Sequence, residues 1–533
     1  MTDPVVAARE TPAGAAQGLA WSRYNRLFET PRYGHFLYNA LSNELLKLDG
    51  PHARAVAGLR AAAAGREPGA DAAGADGAAG GEAERPDVTD DGLAAAFARL
   101  AAAEPEFAEG LRAARVVVTP GQEEGARLAA VYRRRASRFD TATLGLTVCP
   151  TLACNFRCGY CFEHSQDDGA TMSADTVDRL LEFIGSFEDL SRVSLAWYGG
   201  EPTLAWDVVG EVTRRIREAG FDDLSAGLVT NGYLLDREKI AGLDELGIVS
   251  LQITLDGPAE VHDRRRVPTG GAPTFDRILA NVDALMESSW SGRCSIRVNV
   301  DRENRDLFLG LRDELLRRYA GKRLSVYAGH VHPSPADGDG PCAAMSSCEW
   351  ADFTLALYAE ASVLPVRGFY PRSGPGGCVA NAHLGFVVGP RGELYKCWED
   401  VGRPDMEVGS VHADGFITDP VLRARYAVGT DPEEDPDCRA CDVLPVCDGG
   451  CPNKRLWALQ RGARGVEYCP PYKDHLEEYL EAYYDALLTR EICAAVLAPG
   501  RPEKDDRGWR VLTPDPASAG DRGPLAGPVD AEE

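Results

Sequence analysis

The chain has 533 residues, which is enough to bury more than one hydrophobic core. Its formal net charge of −25 repels a polyphosphate backbone, so no nucleic-acid partner is expected. The first residues, MTDPVVAARE, lack a basic start followed by an apolar core, and no apolar run approaches the ~20 residues that cross a bilayer. We therefore expect a soluble cytoplasmic protein with no membrane partner. Thiols stay reduced in that compartment, so the fifteen cysteines indicate metal or cluster ligation.

The part before the first cysteine cluster is predicted to be a small α+β unit at residues 21–135. Its segment YNRLFETPRYGHFLYNALSNELLKLD predicts two short strands and a helix, DGLAAAFARL a further helix, and VVVTP a late strand. A stretch rich in Ala, Gly and Pro, without apolar periodicity, interrupts the unit as a flexible linker at residues 61–90. Residues 1–20 and 496–533 are predicted to be disordered.

Apolar runs alternate with amphipathic segments over residues 140–335. The alternation predicts six strands, each followed by a helix or a loop: LGLTV, VSLAWY, AGLVT, VSLQITL, CSIRVNV and LSVYAGHV. Short right-handed crossovers make such strands parallel, in a sheet that is either open or curled. The predicted fold class is therefore α/β, with a partial (β/α)6 barrel similar to a TIM barrel. The chemistry of such sheets gathers at the carboxyl ends of the strands.

Three cysteines, Cys154, Cys158 and Cys161, follow the first of these strands in the pattern C-x3-C-x2-C. A zinc site usually needs four ligands and a redox pair needs two thiols, so three close thiols indicate a 4Fe-4S cluster with one iron left open. The alternative is that all three are buried as small apolar residues. Cys149, five residues earlier, is predicted to be packed at the strand end rather than to be a ligand.

This motif resembles that of the radical S-adenosylmethionine (SAM) enzymes. The resemblance implies that the three cysteines hold the cluster and that its open iron chelates the amino and carboxylate groups of SAM. One electron then cleaves the sulfonium to a 5′-deoxyadenosyl radical, which takes a hydrogen from the substrate. Further motifs of the family, GGEP, TNG and TLDGPAEVHDRRR, follow successive strands. Together with the cysteine motif and the segment IRVNV, the resemblance implies cofactor contacts from Tyr160, Gly199, Gly200, Glu201, Pro202, Thr230, Asn231, Thr254, Asp256 and Arg297, the last of which equally fits a structural salt bridge.

Seven further cysteines recur at defined spacings in the C-terminal part. The segment FVVGPRGELYKC predicts a hairpin with its turn at Gly389 to Gly392, which returns Cys397 to Cys378. A zinc ribbon is the alternative for such cysteine pairs. The spacing resembles the SPASM extension of radical SAM enzymes, so residues 336–495 are expected to form a cysteine-rich domain with two auxiliary 4Fe-4S clusters. The seven are Cys378, Cys397, Cys438, Cys441, Cys447, Cys451 and Cys469.

The resemblance divides these cysteines between two clusters. It implies that Cys438, Cys441, Cys447 and Cys469 hold one, and that Cys378, Cys397 and Cys451 hold three corners of the other. Many members have the fourth ligand six residues before the first motif cysteine, where this chain has Arg372. Either Cys348 or Cys342 completes the site, or its iron is open to substrate; we favour Cys348.

The family resemblance implies a peptide or protein substrate. We expect hydrogen abstraction from a residue of a ribosomally made precursor peptide, ending in a thioether, carbon–carbon or carbon–oxygen crosslink. Formylglycine formation in a sulfatase is one alternative, but that group has an aspartate directly after the cysteine matching Cys397. This chain has Trp398 there, followed by Glu399 and Asp400, which become candidate catalytic residues. The sequence also leaves open a small-molecule radical enzyme, an iron–sulfur electron carrier and a zinc-binding protein.

The order of elements in the N-terminal unit resembles the small peptide-recognition domain of many peptide maturases. Such a domain captures an extended leader peptide by adding it as a strand to a sheet edge. A plain structural cap is the alternative. The expected partners are therefore a precursor peptide and an electron donor of the flavodoxin or ferredoxin type.

Overall fold

The computed structural model describes residues 18–65, 91–163, 169–221, 224–331, 343–365, 368–371, 378–462, 465–497 and 509–512. The chain forms two compact units. The first contains the residues up to Val131 together with Gly500–Pro514, and the second contains Tyr132–Pro499 and the end of the chain. Within the described residues, no helix combines the length and the apolar character needed to cross a membrane.

The first unit combines short antiparallel strands with helices. The helix that follows it in the chain, α4, ends within the second unit. The elements are β1 (Ala20–Trp21), β2 (Asn25–Thr30), β3 (Gly34–Asn39), β4 (Glu44–Leu48), α1 (Gly50–Ala63), α2 (Asp91–Ala103), α3 (Pro105–Ala113), β5 (Val117–Val118) and α4 (Pro120–Arg138).

Strands β2, β3 and β4 pair antiparallel in sequence order, and β1 pairs with β5. The helices cover one face of the larger sheet. Val56 of α1, Phe97 of α2 and Phe107 of α3 form a buried cluster with Leu46 and Leu48 of β4. Each such side chain contributes roughly 1.5–3 kcal/mol when fully buried. The predicted linker begins inside α1, which extends to Ala63, and most of it lies outside the described residues.

The segment NELLKL is a strand, not the helix that the sequence predicts. The side chain of Asn39 accepts hydrogen bonds from the amides of Leu41 and Ser42, and Asn43 adopts a positive φ of 56°. The resulting tight turn folds the leucines back onto β3. Pairing and burial on both faces of the sheet therefore override the helix propensity of the local sequence.

The predicted disordered tail contains an ordered segment. Trp509–Leu512 lies antiparallel to β4 and becomes the fourth strand of the first unit's sheet. The disorder prediction is wrong for these four residues because their apolar side chains, set among polar and small residues, find partners on a sheet edge. The rest of the tail after residue 497 lies outside the described residues, as do residues 1–17.

The second unit is built on a parallel sheet, as predicted. Its six strands pair in the order β11-β10-β9-β8-β7-β6, and helices follow them along the chain. The elements are β6 (Thr143–Val148), α5 (Ala174–Gly185), β7 (Arg192–Trp197), α6 (Trp206–Glu218), β8 (Ser225–Thr230), α7 (Arg237–Gly242), β9 (Ile248–Leu255), α8 (Ala259–Arg265), α9 (Phe275–Glu287), β10 (Arg293–Val300), α10 (Phe308–Arg318) and β11 (Leu324–His330).

The sheet continues into the cysteine-rich part. A strand from that part pairs parallel with β6, and two more strands extend the sheet antiparallel. The predicted hairpin is confirmed: the amide of Gly389 donates to the carbonyl of Glu393 at 2.9 Å, and Gly392 has a φ of +83°. The sequence predicts separate domains at 140–335 and 336–495, whereas the structure joins them through one sheet. The elements are α11 (Ser347–Ala361), β12 (Gly385–Val388), β13 (Glu393–Tyr395), β14 (Gly409–Ser410), α12 (Pro420–Ala424), α13 (Pro436–Ala440), α14 (Pro452–Gln460) and α15 (Leu476–Leu497).

Two residues of the HDRRR segment join α8 to α9. The side chain of Asp263 accepts hydrogen bonds from the amides of Thr274 and Phe275, at the start of α9. His262 is fully buried, and its Nε2 lies 3.1 Å from the hydroxyl of Thr274. Burial, helped by the nearby charge of Arg266, lowers the pKa of His262 to about 3. This corner of the fold therefore requires a neutral imidazole.

We predict that His262 makes stability depend on pH. Below pH 6.5, the ordinary pKa of histidine, the unfolded chain binds a proton at His262, whereas the folded chain does not. The free energy of unfolding therefore falls as the pH drops from 6.5 towards 3. Between pH 6.5 and 5 the loss is about 2 kcal/mol. In urea unfolding followed by circular dichroism, the free energy of unfolding of His262→Gln should depend less steeply on pH than that of the wild type. His35→Gln, at a partly exposed site, is the matched control. Equal slopes for wild type and His262→Gln would contradict the assignment.

Candidate functional site

The cysteine loop, residues 151–163, leaves the carboxyl end of β6. Cys154, Cys158 and Cys161 lie together on it, half-buried: the charge of Cys158 acts on both Cys154 and Cys161, and that of Cys154 acts on Cys161. Burial raises the pKa of Cys154 to about 11 and that of Cys161 to about 12. These thiols are therefore protonated on their own, and a bound metal is what makes such groups thiolates.

Two glycines after β7 hold one side of the cysteine loop. The amide of Gly200 donates to the carbonyl of Thr151 at 3.2 Å, and that of Glu201 to the carbonyl of Ala153 at 3.0 Å. A Cβ on Gly200 would lie closer than 3.0 Å to carbonyl oxygens of the loop, and Gly199 has a φ of +107°. The close approach of the cysteine loop therefore requires both glycines. The sequence predicted them only as contacts with the cofactor.

Other segments hold the opposite side of the loop. The amide of Arg157 donates to the carbonyl of Val267 at 2.7 Å, and the amide of Thr269 donates to that of Asn155 at 2.9 Å. The side chain of Asn231, after β8, donates to the Asn155 side chain at 2.7 Å. The loop is therefore fixed from the ends of β7 and β8 and from the chain that follows α8. Three thiols on a loop held in this way fit a cluster that needs three protein ligands.

The hydroxyl of Tyr160 is the centre of a charged network. It donates to Asp256 at 2.8 Å and accepts from Arg266 at 2.7 Å and from Asn299 at 3.1 Å. Asp256, fully buried at the end of β9, also accepts from Arg265 at 3.1 Å. Cations and carboxylates pair in this buried network, so no charge there is left uncompensated. The network fixes the Tyr160 ring between two of the cluster cysteines in the chain.

Glu201 links the ends of β7 and β8. Its buried carboxylate accepts from the Thr203 amide and hydroxyl, from the Thr230 hydroxyl at 2.7 Å and from the Asn231 amide at 2.8 Å. Pro202 is buried beside it. Four residues that the sequence predicts as cofactor contacts, Glu201, Pro202, Thr230 and Asn231, therefore lie together and support one another.

Two further predicted contacts lie on adjacent strands. Thr254 of β9 and Arg297 of β10 are directly paired in register. Arg297 donates to the Asn299 side chain at 2.8 Å and to the carbonyl of His330 at 3.3 Å. It lies across Gly329 of β11, where a Cβ would collide with the guanidinium. Arg297 is therefore hydrogen-bonded within the fold, whereas the structural salt bridge and the contact with the cofactor both stay predictions.

Four of the later cysteines form the first auxiliary set. The charges of Cys438 and Cys441 each couple to Cys469, and that of Cys447 couples to Cys441. Arg455, which is 1% exposed, donates to the Cys438 sulfur at 3.3 Å and to Asp435 at 2.5 Å. This set therefore has a buried cation hydrogen-bonded to one of its sulfurs, which no sequence pattern indicated.

The remaining three cysteines form the second auxiliary set. Burial raises the pKa of Cys397, and the charges of Cys451 and Cys378 add to that rise. The ammonium of Lys396 lies in the turn before β12, donating to the carbonyls of Ala382 and Gly385. These charge couplings all fall within the two sets that the family resemblance implied. Ligation of clusters by these cysteines stays a prediction.

The structure does not bring Cys348 to the second auxiliary set. Cys348 is exposed at the start of α11, and the charges around it are carboxylates, with Asp474 and Glu467 foremost. Cys342 and Arg372 lie outside the described residues. Glu399, by contrast, is buried two residues after Cys397, and its charge acts on both Cys397 and Cys451. Among the described residues, no three His, Cys, Asp or Glu side chains form a site for a single metal ion.

Asp400, a candidate catalytic residue, is enclosed by other side chains. One carboxylate oxygen accepts from the Tyr426 hydroxyl at 2.5 Å and the other accepts from the Asn453 amide at 2.8 Å. The residue is 1% exposed, and burial raises its pKa to about 7. Both oxygens are therefore engaged within the fold, which indicates a structural role. Tyr426 and Asn453 come from distant segments, so only the fold reveals them as partners.

Part of this site matches a known family model. Residues 148–315 match the Radical SAM superfamily and are a radical SAM domain. The serine-type anaerobic sulfatase-maturating enzyme of Bacteroides thetaiotaomicron is 21% identical over 64% of this chain and 92% of its own length. That of Klebsiella aerogenes is 24% identical over 56% of this chain and 77% of its own. A solved structure described as native anSMEcpe with bound AdoMet and Cp18Cys peptide has a TM-score of 0.51 at 18% identity, covering 65% of this chain and 98% of that one. At that identity the likeness shows the fold.

We predict that Gly200→Ala disrupts the first cluster site alone. The added methyl would collide with backbone carbonyls of the cysteine loop, so the three thiols should lose their arrangement. Iron content after anaerobic reconstitution should fall from about twelve to about eight per chain. Gly185→Ala, at the end of α5 where a Cβ meets nothing within 4 Å, is the control. Full iron content and an unchanged electron paramagnetic resonance (EPR) spectrum in Gly200→Ala would contradict this role.

We predict that Arg455→Met lowers the reduction potential of one auxiliary cluster. A cation donating to a ligand sulfur stabilises the more negative, reduced cluster, so its loss should shift the potential by about −60 mV, equivalent to about 1.4 kcal/mol for one electron. An EPR-monitored redox titration measures the shift. Arg461→Met, at the end of the same helix and paired with Asp405, is the control. Identical reduction potentials in wild type and Arg455→Met would show that the hydrogen bond from Arg455 to the Cys438 sulfur does not affect the cluster.

Proposed function

We propose, on the premise that residues 148–315 are a radical SAM domain, that this chain modifies a ribosomally made precursor peptide. The reaction removes a hydrogen atom from one residue of the peptide and ends in a thioether, carbon–carbon or carbon–oxygen crosslink. The observation that carries the proposal is the gathering of ten cysteines into three sets within one unit. A simple electron carrier has no need of the Tyr160 and Glu201 networks that surround the first set.

The first set would hold the cluster that binds SAM. A 4Fe-4S cluster with an open iron, held by Cys154, Cys158 and Cys161, would supply the electron for cleavage of SAM, so that hydrogen is taken from the peptide and 5′-deoxyadenosine is formed. The residues around the first set fix the position of the cysteine loop and of the Tyr160 ring. Gly199 and Gly200 set the position of the loop, and the Tyr160 hydroxyl is anchored by Asp256, Arg266 and Asn299.

The auxiliary sets would hold two further 4Fe-4S clusters. Their proposed task is to accept the electron left on the substrate or to ligate the peptide. The fourth position of the second set would be taken by Glu399, whose charge acts on two of its cysteines, by Cys342 or by the substrate itself. Reducing electrons would come from a small donor protein of the flavodoxin or ferredoxin type.

Two observations support a peptide as the substrate. The sulfatase-maturating relatives act, by their names, on proteins, and the related solved structure is described with a bound peptide. The first unit of this chain also has an antiparallel sheet with helices on one face, an arrangement suited to capturing a peptide as an added strand.

Sulfatase maturation is the second candidate. It is favoured by the first of the curated relatives, which aligns over 92% of its length. Against it, Trp398 follows Cys397 where that group has its aspartate, and Asp400 is enclosed by Tyr426 and Asn453. Formylglycine formation from a serine and formation of a crosslink each remove two hydrogens from the peptide, so mass alone does not separate these two reactions. Trapping with a hydrazide detects the aldehyde of formylglycine, whereas a crosslink suppresses fragmentation between the joined residues.

We predict that replacing Cys154, Cys158 and Cys161 together by Ala abolishes 5′-deoxyadenosine formation. The anaerobically reconstituted wild type should contain about twelve irons and the variant about eight. Cleavage is measured by chromatography with dithionite and SAM. Cys294→Ala, at a buried cysteine of β10 outside all three sets, should behave as wild type. Cleavage of SAM by the triple variant would refute the site.

A further inference from the structure

The segment Trp509–Leu512 occupies an edge of the first unit's sheet. Trp509–Leu512 pairs antiparallel with β4, with Trp509 opposite Leu48 and Leu512 opposite Leu45. The preceding helix, α15, belongs to the second unit, and the eleven residues between lie outside the described ranges. The sheet edge is therefore covered by a strand that comes from the far end of the sequence.

Trp509 fits a socket on α3. Its ring lies against Phe107, with 5.4 Å between the ring centroids. It also lies directly on Gly110, where an added Cβ would be 2.6 Å and 2.8 Å from two ring carbons. Glycine inside a helix is disfavoured relative to alanine, so its presence here is explained by the space that the ring needs.

The strand binds through alternate side chains. Trp509 and Val511 both contact the buried cluster formed by the helices and β4, whereas Arg510 points the other way and is exposed. Backbone pairing at an edge combined with sockets for alternate side chains is the way in which sheets bind extended peptides. The edge of β4 thus has the features of a peptide-binding groove with an occupant in place.

The occupant fits this groove imperfectly. Arg510 lies directly opposite Lys47 in the register, and like charges at such positions destabilise strand pairing. The segment pairs over four residues, whereas β2 and β3 pair over six. A peptide with an acidic residue opposite Lys47 would form the same backbone bonds and replace this repulsion by attraction.

We infer that Trp509–Leu512 is an internal occupant of a peptide-binding groove and that substrate binding requires its release. The groove between β4 and α3 then selects an extended peptide with an aromatic residue, an acidic residue and two aliphatic residues in succession. This inference rests on the proposed function for the identity of the peptide as substrate. The exchange itself is a binding event that needs no cluster.

Two fluorescein-labelled peptides, RGWRVLTPD and RGWEVLTPD, test the exchange by fluorescence anisotropy on the full chain. Trp509→Ala should bind both about tenfold more tightly than wild type, because the competing strand is weakened. The glutamate peptide should bind about threefold more tightly than the arginine peptide, and this preference should vanish in Lys47→Met. Adding Gly110→Ala to Trp509→Ala should abolish binding by filling the socket. Gly58→Ala, in α1 where a Cβ meets nothing within 4 Å, is the matched control.

A second variant, Arg510→Glu, leaves the apolar contacts of the strand in place. Arg510→Glu should strengthen the internal strand against Lys47, so peptide binding should fall about threefold below wild type. This variant decides the question if Trp509→Ala unfolds the first unit. Absence of peptide binding by folded Trp509→Ala, equal effects of Gly110→Ala and Gly58→Ala, or an unchanged affinity in Arg510→Glu would each overturn the inference.

The proposed function is tested independently of the exchange. Formation of 5′-deoxyadenosine is measured on the reconstituted wild type without either peptide. Failure of that reaction alongside successful exchange would refute the radical chemistry and leave the groove intact. Successful reaction without exchange would refute the internal occupant alone.

Discussion

The contact between the cysteine loop and the glycine pair after β7 is the constraint on which the site depends. The two backbone segments are in direct contact there: the amide of Gly200 donates a hydrogen bond to the carbonyl of Thr151, and a Cβ on Gly200 would not fit. The loop then reaches Asn231 after β8 and the chain after α8, so three strand connections share one short segment. Three thiols on a freely moving loop would lose much of their affinity to the entropy of ordering. The parallel sheet removes that cost by bringing its carboxyl ends together.

Buried charge is the second organising feature. Around Tyr160, two arginines and two aspartates compensate each other at the ends of β9 and β10. Around the first auxiliary set, Arg455 is shared between Asp435 and the Cys438 sulfur. Such cations stabilise negatively charged sulfur clusters and adjust their potentials. Buried cations therefore orient the Tyr160 ring in one case, and in the other they would adjust the potential of a cluster held by the first auxiliary set.

The parts of the fold that depend on local sequence patterns could be predicted from the sequence. Alternating apolar and amphipathic segments gave the six parallel strands and their helices, and cysteine spacing gave the sets that the structure groups. Prediction failed where distant pairing decides the outcome: β4 is leucine-rich and helix-like until β3 pairs with it, and Trp509–Leu512 is ordered only by the edge of β4. Arg455, Tyr426 and Asn453 have no local signal, because their partners come from remote segments. Cys348, the fourth ligand that we favour from the sequence, is instead exposed at the start of α11.

The central claim is that the loop after β6 holds an iron–sulfur cluster with one iron open to SAM. Pulsed electron–nuclear double resonance on the reduced, reconstituted protein with SAM labelled at its amino nitrogen tests it directly. We expect a hyperfine coupling from that nitrogen to the cluster, which is lost when the loop cysteines are replaced. A colourless protein with tetrahedral zinc at Cys154, Cys158 and Cys161, and no such coupling, would contradict it.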